Sequence, residues 1–445
     1  MRSNVVVGTD SYSRDGVHYA LMRDDRTTDT ATRRTEALDV LRSNRAEGYT
    51  IPSATLYPFQ WNWDSAFIAL GLAGVEPEAA KEELKSLCAA TWENGLLPHI
   101  VFHTDAEGYF PGPEEWGVDV DGVATSGITQ PPMVVPAARR VYEATGDDDF
   151  LDCVYPALER HLEWWVRERS FDDAVVYVRH PWETGMDDSP AWTEPLAAFD
   201  PGEVEYERED RKSDELADQR PSDWDYDRYV SLVRSARAAD WDERSLRESC
   251  PFLVEDALTN AIFVRACDDL AALSVARGDD TAATTWREQA DRSREAIRDR
   301  LWDEESGTFV SYDRVGDRKL EANSVAGLAA LFGEIPTNEQ FERLRRTLRD
   351  DFFAHEFAVP SYVGEAFDPD RYWRGPVWIN TNWLVADGLR RYGATDFADR
   401  IDRDSRRLVE REGFREYFNP ETGAGRGSDR FSWSAALYLE LTGDR

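Results

Sequence analysis

Three carboxylic acids and two tryptophans crowd into residues 180–192 of the chain. Glu183, Asp187 and Asp188 stand there among prolines and a glycine, a composition that fits neither a helix interior nor an ordinary strand. A loop that holds a carboxyl group against aromatic rings can raise its pKa by desolvation, as an acid catalyst requires. A solvated loop in an acidic protein has the same composition, so the residues alone leave both interpretations open.

A second candidate carboxyl lies among aromatic residues near the C-terminus. Glu416 belongs to the segment GFREYFNPETGAGRG (residues 413–427), just before the last apolar helical stretch. Glu421 falls in a turn sequence of the same segment, and we expect it to be exposed. Two carboxyl groups on opposite walls of one aromatic pocket suit glycoside hydrolysis. One can protonate the leaving oxygen, while the other attacks the sugar or activates water.

A third cluster of polar and aromatic residues, YPFQWNWD, begins with Tyr57 and ends with Trp63 and Asp64. Asp64 could bind sugar hydroxyls, or it could merely cap the helix that follows. Gln130, in GITQPP, and Arg374, in RYWRGP, occupy matching positions before other predicted helices. We therefore expect these side chains to meet at one pocket.

The 16 tryptophans support such a pocket. Many stand at or just before the start of an apolar helical stretch: Trp61, Trp63, Trp182, Trp192, Trp373, Trp378 and Trp433. Rings at these positions can stack on the apolar faces of sugars while polar groups bind the hydroxyls. We expect this role in particular for Trp63, Trp182 and Trp378. Tryptophans inside predicted helix bodies, such as Trp164 and Trp165, are expected in the core.

The elements that would position these residues follow one recurring pattern. An apolar, aromatic-rich helical stretch ends at a glycine, and a charged, amphipathic stretch follows. The glycines are Gly74, Gly146, Gly278, Gly333, Gly393 and Gly443. Glycine supplies the left-handed conformation that closes the last turn of a helix. Each site therefore predicts a tight helical hairpin with a buried leading helix and a half-exposed trailing helix.

The last leading stretch, SWSAALYLELTG, lacks a trailing partner, and residues 28–46 offer one at the other end of the chain. Six inner and six outer helices then close a ring. The predicted fold is thus all-α, an (α/α)6 toroid in which residues 1–445 form one catalytic domain. Residues 93–128 and 171–250 do not follow the hairpin pattern. The second of these stretches contains a predicted polar helix near residues 222–239. Insertions of this length are usually functional loops or lids.

Composition limits the partners and the compartment. The net charge of −35 is spread along the chain, which predicts a hydrated, halophile-like surface and argues against nucleic acid as a partner. The four cysteines show no zinc spacing. No apolar run approaches the roughly 18 residues of a membrane span, and the N-terminus has no long apolar stretch typical of a signal peptide. We expect a cytoplasmic protein without membrane, metal or organic cofactor; the sequence predicts no particular oligomeric state.

Five segments resemble the clan of (α/α)6 glycosidases that contains trehalases and glycoside hydrolase family 63. Within that clan the likeness is strongest to the compact glucosylglycerate and mannosylglycerate hydrolases. The segments are FQWNWDSAF, SGITQPP, WETGMDDSPAW, YWRGPVWINTNW and EYFNPETGAGRGSDRFSW. Residues 193–250 contain nothing that maps onto the pattern, so the choice of leaving group stays open.

The resemblance implies an inverting reaction with Asp187 as general acid and Glu416 as general base. Asp188 is then a neighbour, although a mapping shifted by one residue would make it the acid. The implied sugar-binding residues are Trp63, Asp64, Gln130, Trp182, Gly185, Trp373, Arg374 and Trp378. The sequence clusters add Tyr57 and Trp433 to this set. Inversion requires the two carboxyl groups to lie about 6.5–9.5 Å apart.

The expected reaction is exo-acting hydrolysis of an α-glucosyl or α-mannosyl bond in a small glycoside. Candidate substrates are glucosylglycerate, mannosylglycerate, trehalose and short α-glucans, and a compatible-solute role fits the acidic composition. A glycerate carboxylate would need a cation on the leaving-group side of the pocket. Arg374 or an arginine within residues 205–250 can provide it.

Two alternatives come from other functional classes. A sugar epimerase on the same ring would use histidine for proton transfer. His99 and His103 are the one close pair among six histidines, in a run that predicts a strand or loop; a metal site there is a further alternative. A non-catalytic glycan-binding protein would keep its sugar affinity after Asp187→Asn, with no turnover to lose.

Overall fold

The computed structural model describes residues 29–106, 108–171, 174–208 and 218–443. The N-terminal segment on which the signal-peptide expectation rests lies outside these residues. In the described part the helices are α1 (Thr30–Asn44), α2 (Asn62–Leu72), α3 (Pro77–Ala89), α4 (Pro113–Trp116), α5 (Val134–Thr145), α6 (Asp148–Glu168), α7 (Thr193–Ala197), α8 (Asp223–Ala238), α9 (Glu243–Ser249), α10 (Ala257–Ala276), α11 (Asp280–Leu301), α12 (Val325–Ala329), α13 (Asn338–Asp350), α14 (Ile379–Arg391), α15 (Thr395–Glu412) and α16 (Ser432–Leu441).

The strands are short and lie between the helices. They are β1 (Gln60–Trp61), β2 (Ile100–Phe102), β3 (Val118–Val120), β4 (Val123–Thr125), β5 (Val254–Glu255), β6 (Trp302–Asp303), β7 (Thr308–Phe309), β8 (Ser311–Asp313), β9 (Arg318–Leu320), β10 (Tyr417–Phe418) and β11 (Gly425–Arg426). All of their pairings are antiparallel.

Burial separates the helices into an inner and an outer set, as the hairpin pattern predicts. Every residue of inner helix α2 is buried. Outer helix α13 buries only Phe341, Leu344 and Leu348, whose spacing of three and four residues places them on one face. The inner set is α2, α5, α10, α12, α14 and α16. Across the described residues, no helix has the length and apolar character that a membrane crossing requires.

The inner helices form a closed ring. Each packs against the next in the order α2, α5, α10, α12, α14 and α16, and α16 returns to α2. Helix α1 packs on α16, which confirms that the N-terminal stretch supplies the sixth outer helix. At the closure, a Cβ atom on Gly71 would lie 2.1 Å from the carbonyl oxygen of Ala436, so only glycine lets these two backbones meet. The predicted (α/α)6 toroid is confirmed.

The helix ends are less uniform than the glycine pattern predicts. Gly146, Gly278 and Gly393 have φ values of 61°, 76° and 75° and take the expected left-handed conformation. Gly74 does not, because the N–H groups of the next two residues both donate to the carbonyl oxygen of Leu72 and close the helix without it. After α12 the left-handed residue is Glu334, with a φ of 51°, one position beyond Gly333.

The first insertion, residues 93–128, builds a sheet that fixes the start of α2. Strands β2, β3 and β4 join β1 in the order β1-β2-β4-β3. Since β1 runs directly into α2, the sheet holds the turn that presents the first residues of this inner helix. In the HIVFH run, for which the sequence predicts a strand or loop, residues Ile100–Phe102 form β2. His103 is engaged by Gln60, at 2.6 Å, and stacks on Tyr49.

The second insertion, residues 171–250, which we call the lid insertion, packs on the first. Ser222 caps α8, which confirms the predicted polar helix. Arg234 of α8 donates to Glu115 of the first insertion at 2.7 Å. Trp116, Val233 and Trp241 share a second apolar core between the two insertions. The insertions therefore support each other above the ring.

Candidate active site

One pocket lies where the inner helices α2, α14 and α16 begin, below the two insertions. Most of the predicted site residues line it: Tyr57, Trp63, Asp64, Gln130, Trp182, Gly185, Asp187, Trp373, Trp378, Glu416 and Trp433. Further lining residues include Trp61, His99, Tyr109, Phe110, Arg220, Tyr226 and Tyr372. The ring thus gathers side chains from segments far apart in the sequence.

Asp187 reaches the pocket from a loop that packs against Trp63. The loop follows a short 3-10 turn, and Gly185 ends this turn with a φ of 72°. A Cβ atom on Gly185 would lie 2.5 Å from the Trp63 ring. The Tyr229 hydroxyl of the lid insertion donates to the Asp187 carbonyl oxygen. The acid loop is therefore held on one side by inner helix α2 and on the other by α8 of the lid insertion.

Asp188, the alternative acid, forms ion pairs with two arginines. Its buried carboxylate accepts hydrogen bonds from Arg371, at 3.0 and 3.2 Å, and from Arg374, at 3.1 Å. Burial raises its pKa to about 6, against the opposing effect of the two arginines. Arg374 does not line the pocket, and this differs from the sugar contact expected from the sequence. The ion pairs of Asp188 with Arg371 and Arg374 instead connect the acid loop to the loop that carries Tyr372.

The third carboxyl of the same segment, Glu183, belongs to a buried ion network. Both of its oxygens accept from Arg169 at 2.8 Å, and one also accepts the Arg179 backbone N–H at 2.7 Å. Burial by itself would raise the pKa of Glu183, but the two guanidinium groups outweigh it and lower the pKa to about 2. Arg169 also binds Glu243 of α9 at 2.8 Å, so this network joins the acid loop to α9.

Glu416 is buried directly before β10, and four donors surround its carboxylate. Oε1 accepts from the Tyr57 hydroxyl at 2.9 Å and from Arg220 Nη1 at 3.3 Å. Oε2 accepts from Arg220 Nη2 at 2.7 Å and from the Ser428 backbone N–H at 2.8 Å. A Cβ atom on Gly427 would lie 2.4 Å from Oε2, so the glycine allows this close backbone approach.

Arg220 is the main residue that the sequence did not single out. It projects from the lid insertion and its side chain is only 3% exposed. Its guanidinium lies 4.6 Å from the centre of the Tyr372 ring and donates to the Tyr57 hydroxyl at 2.6 Å. Among the described residues that line the pocket, it is the sole arginine or lysine. The nearest sequence signal is the helix-start box at Ser222, which marks an element and not a site.

The floor of the pocket combines stacked rings with a buried carboxyl. Trp373 and Trp378 stack with centroids 3.8 Å apart. Burial and the nearby Glu416 hold the pKa of Asp64 well above its usual range. Asp64 does not cap α2, whose N-cap residue is Trp61 and which has no side-chain capping hydrogen bond. Instead, Gln130 accepts the Trp63 N–H at 3.1 Å.

The pocket walls also carry polar atoms without a protein partner. The indole N–H groups of Trp61, Trp373 and Trp433 are buried and make no hydrogen bond. Because a buried donor without an acceptor is costly, such groups are suited to a polyhydroxylated ligand. His99 also lines the pocket, and burial, reinforced by His180, lowers its pKa to about 3. So weak a base does not suit the proton transfer of an epimerase.

Comparison with known proteins decides the family. The family model described as the mannosylglycerate hydrolase MGH1-like glycoside hydrolase domain matches residues 57–434. The chain belongs to this glycoside hydrolase family. The mannosylglycerate hydrolase of Rubrobacter radiotolerans is 41% identical, over 91% of this chain and 96% of that protein. The glucosylglycerate hydrolase of Mycolicibacterium hassiacum is 34% identical, with the same two coverages.

A solved structure of the family supports the assignment. The family 63 mannosylglycerate hydrolase of Thermus thermophilus, in complex with Tris and D-glycerate, superposes with a TM-score of 0.88. It is 41% identical and the alignment covers 92% of this chain and 100% of that one. The resemblance stated from the sequence is confirmed: this MGH1-like chain is a glycoside hydrolase with the trehalase-like toroid. Membership of this hydrolase family argues against the alternative of a non-catalytic glycan-binding protein.

Proposed function

We propose that this enzyme hydrolyses α-mannosylglycerate or α-glucosylglycerate with inversion, using Asp187 as general acid and Glu416 as general base. The observation that carries the proposal is the pairing of these two carboxyl groups with Arg220 in one aromatic pocket. Relatives that are named for each of the two substrates cover almost the whole chain. The expected separation of the two carboxyl groups is about 6.5–9.5 Å, which leaves room for a water molecule.

In this mechanism the sugar stacks on the tryptophans of the pocket floor while buried N–H groups and Asp64 bind its hydroxyls. Asp187 donates a proton to the glycosidic oxygen as the bond to the anomeric carbon breaks. Glu416 takes a proton from a water molecule that attacks the opposite face of the ring. The oxygen of the attacking water stays on the anomeric carbon, and its configuration inverts.

Arg220 favours an anionic leaving group over a neutral one. A glycerate carboxylate needs a cation, and Arg220 is the one cationic side chain among the described pocket residues. Arg374, the other sequence candidate, is already bound to Asp188. Trehalose and short α-glucans carry no charge to match Arg220. We therefore rank the glycerate glycosides first.

A substrate panel tests the proposal. Sugar release is measured from mannosylglycerate, glucosylglycerate, trehalose, kojibiose and nigerose, with wild type beside Asp187→Asn and Glu416→Gln. We expect turnover of a glycerate glycoside, reduced in each variant by about 10²–10⁴-fold, the usual contribution of an acid or base. Glu421→Gln changes an exposed carboxyl of the same segment and should retain wild-type activity. Turnover confined to trehalose, or undiminished in both variants, would contradict the proposal.

A further inference from the structure

All hydrogen-bond acceptor positions of Glu416 are occupied in this structure. An ionised carboxylate offers about four lone-pair sites. The Tyr57 hydroxyl, both terminal nitrogens of Arg220 and the Ser428 N–H supply four donors, two on each oxygen. A general base must accept a proton from water, so one of these donors has to withdraw before catalysis.

Arg220 is the donor that can withdraw. The Ser428 N–H is fixed by the backbone beside Gly427, and its side chain is held by Ser53 and Thr55 at 2.8 and 3.0 Å. Tyr57 packs edge-on against Trp61 and Phe431 and contributes a single donor. Arg220 reaches in from the lid insertion at the end of a long side chain, and its departure frees one position on each oxygen of Glu416.

Charge decides when Arg220 withdraws. The side chains of Arg220 and Glu416 are 3% and 1% exposed. If this pair separates and Arg220 finds no other anion, a buried charge is left uncompensated, which is strongly unfavourable. A neutral ligand cannot replace the lost ion pair, whereas a carboxylate in the pocket gives the Arg220 guanidinium a new anionic partner.

We propose that Arg220 makes the catalytic base conditional on an anionic leaving group. A carboxylate bound in the pocket draws the guanidinium from Glu416, and the carboxylate of Glu416 then accepts a proton from water. Arg220 thereby selects substrates at the chemical step as well as at binding, so a neutral glycoside binds but reacts slowly. This inference rests on the proposed function and concerns the same site.

The test separates the anion from the sugar. α-Mannosyl fluoride and α-glucosyl fluoride are neutral, and fluoride release is followed with and without D-glycerate or lactate, at ionic strength matched with sodium chloride. For the wild-type enzyme we expect a saturable increase in kcat of about 10²-fold, the lower end of the range that a general base contributes. Inhibition by the carboxylate, or an unchanged rate, would overturn the inference.

Variants of Arg220 supply an independent readout. Arg220→Met should release fluoride faster than wild type when no carboxylate is present and should not respond to added carboxylate. Its KM for a glycerate glycoside should rise. Arg220→Lys keeps the charge with fewer donors and should retain part of the response. Arg234→Met removes an arginine of the same insertion outside the pocket and should behave as wild type.

Failure of the conditional base and failure of the proposed function give different results. If the enzyme hydrolyses glycerate glycosides but its action on the fluorides is indifferent to carboxylates, the conditional base is refuted and the proposed function stands. If it hydrolyses neither class of compound, both are refuted together.

Discussion

Three carboxyl groups within six residues are divided by their partners. Glu183 is held by Arg169 and Asp188 by Arg371 and Arg374, so each is committed to an ion pair. Asp187 lies between them in sequence and faces the pocket. The two ion pairs fix the loop on either side of the proposed acid. Because all three residues are carboxylic acids, it is the bound arginines that distinguish Glu183 and Asp188, which position the loop, from Asp187, which faces the pocket.

Gly185 tests how closely the acid loop must approach Trp63. Gly185→Ala introduces a Cβ atom 2.5 Å from the Trp63 ring at a φ of 72°. We expect the loop to shift and kcat to fall by about 10²-fold, the usual result of misplacing a reacting group by about 1 Å. Steady-state kinetics on the best panel substrate give the measurement.

A matched glycine separates the clash from backbone strain. Gly122 has a φ of 83° but nothing within 4 Å of its Cβ position. Gly122→Ala should therefore cost only about 1 kcal/mol of stability, with kcat unchanged. Equal kcat for the two variants would show that contact with Trp63 does not position the acid.

At the residue scale, the sequence predicted those pocket residues that lie in motifs rich in aromatic and turn residues. Asp187, Glu416 and Trp63 each lie among aromatic and turn residues, and all three line the pocket. Arg220 was not singled out, because the lid insertion brings it to Glu416 only through tertiary packing. The ion pair of Arg374 could not be predicted for a similar reason, since its partner Asp188 is distant in the chain.

At the scale of elements, the inner and outer helices were predictable because burial dictates their composition. Inner helix α2 is buried on all sides, whereas outer helix α13 buries only one narrow apolar face. Turn details were less predictable. The left-handed residue after α12 is Glu334 and not Gly333. The N–H groups of Glu334 and Ile335 close this turn by donating to the carbonyl oxygens of Leu331 and Ala330.

Glu83 links outer helix α3 to the start of α2 and gives a pH prediction. It is fully buried and accepts from the Ser65 hydroxyl at 2.5 Å. Burial raises its pKa from 4.5 to about 7, with Ser65 and Arg45 opposing. The folded state therefore holds this proton more tightly than the unfolded state. The associated stability is present below about pH 4.5 and is lost as the pH rises to about 7.

Glu83→Gln should remove this part of the pH dependence. Urea unfolding between pH 4.5 and 7.5 should show a smaller loss of the free energy of unfolding in the variant, by on the order of 1–3 kcal/mol. Glu82→Gln, an exposed neighbour on the same helix, serves as the control. A loss in Glu83→Gln as large as in wild type would show that Glu83 does not carry the effect.

At the scale of the whole molecule, the ring explains how residues from position 57 to position 433 reach one pocket. Closure of α16 on α2 brings the last inner helix beside the first, and the two insertions cover the opening. A single catalytic domain over residues 1–445, a halophile-like surface and a cytoplasmic location stay predictions of the sequence. The net charge of −35 is the basis of the second of these.

The most direct test of the proposed mechanism is the anomeric form of the sugar that is released first. Proton NMR during early hydrolysis of α-mannosylglycerate or α-glucosylglycerate should show the β-anomer appearing before mutarotation sets in. That result requires a water molecule between Glu416 and the sugar, as the proposed roles of Asp187 and Glu416 demand. First appearance of the α-anomer would mean retention and a covalent intermediate, and it would contradict Glu416 as a general base.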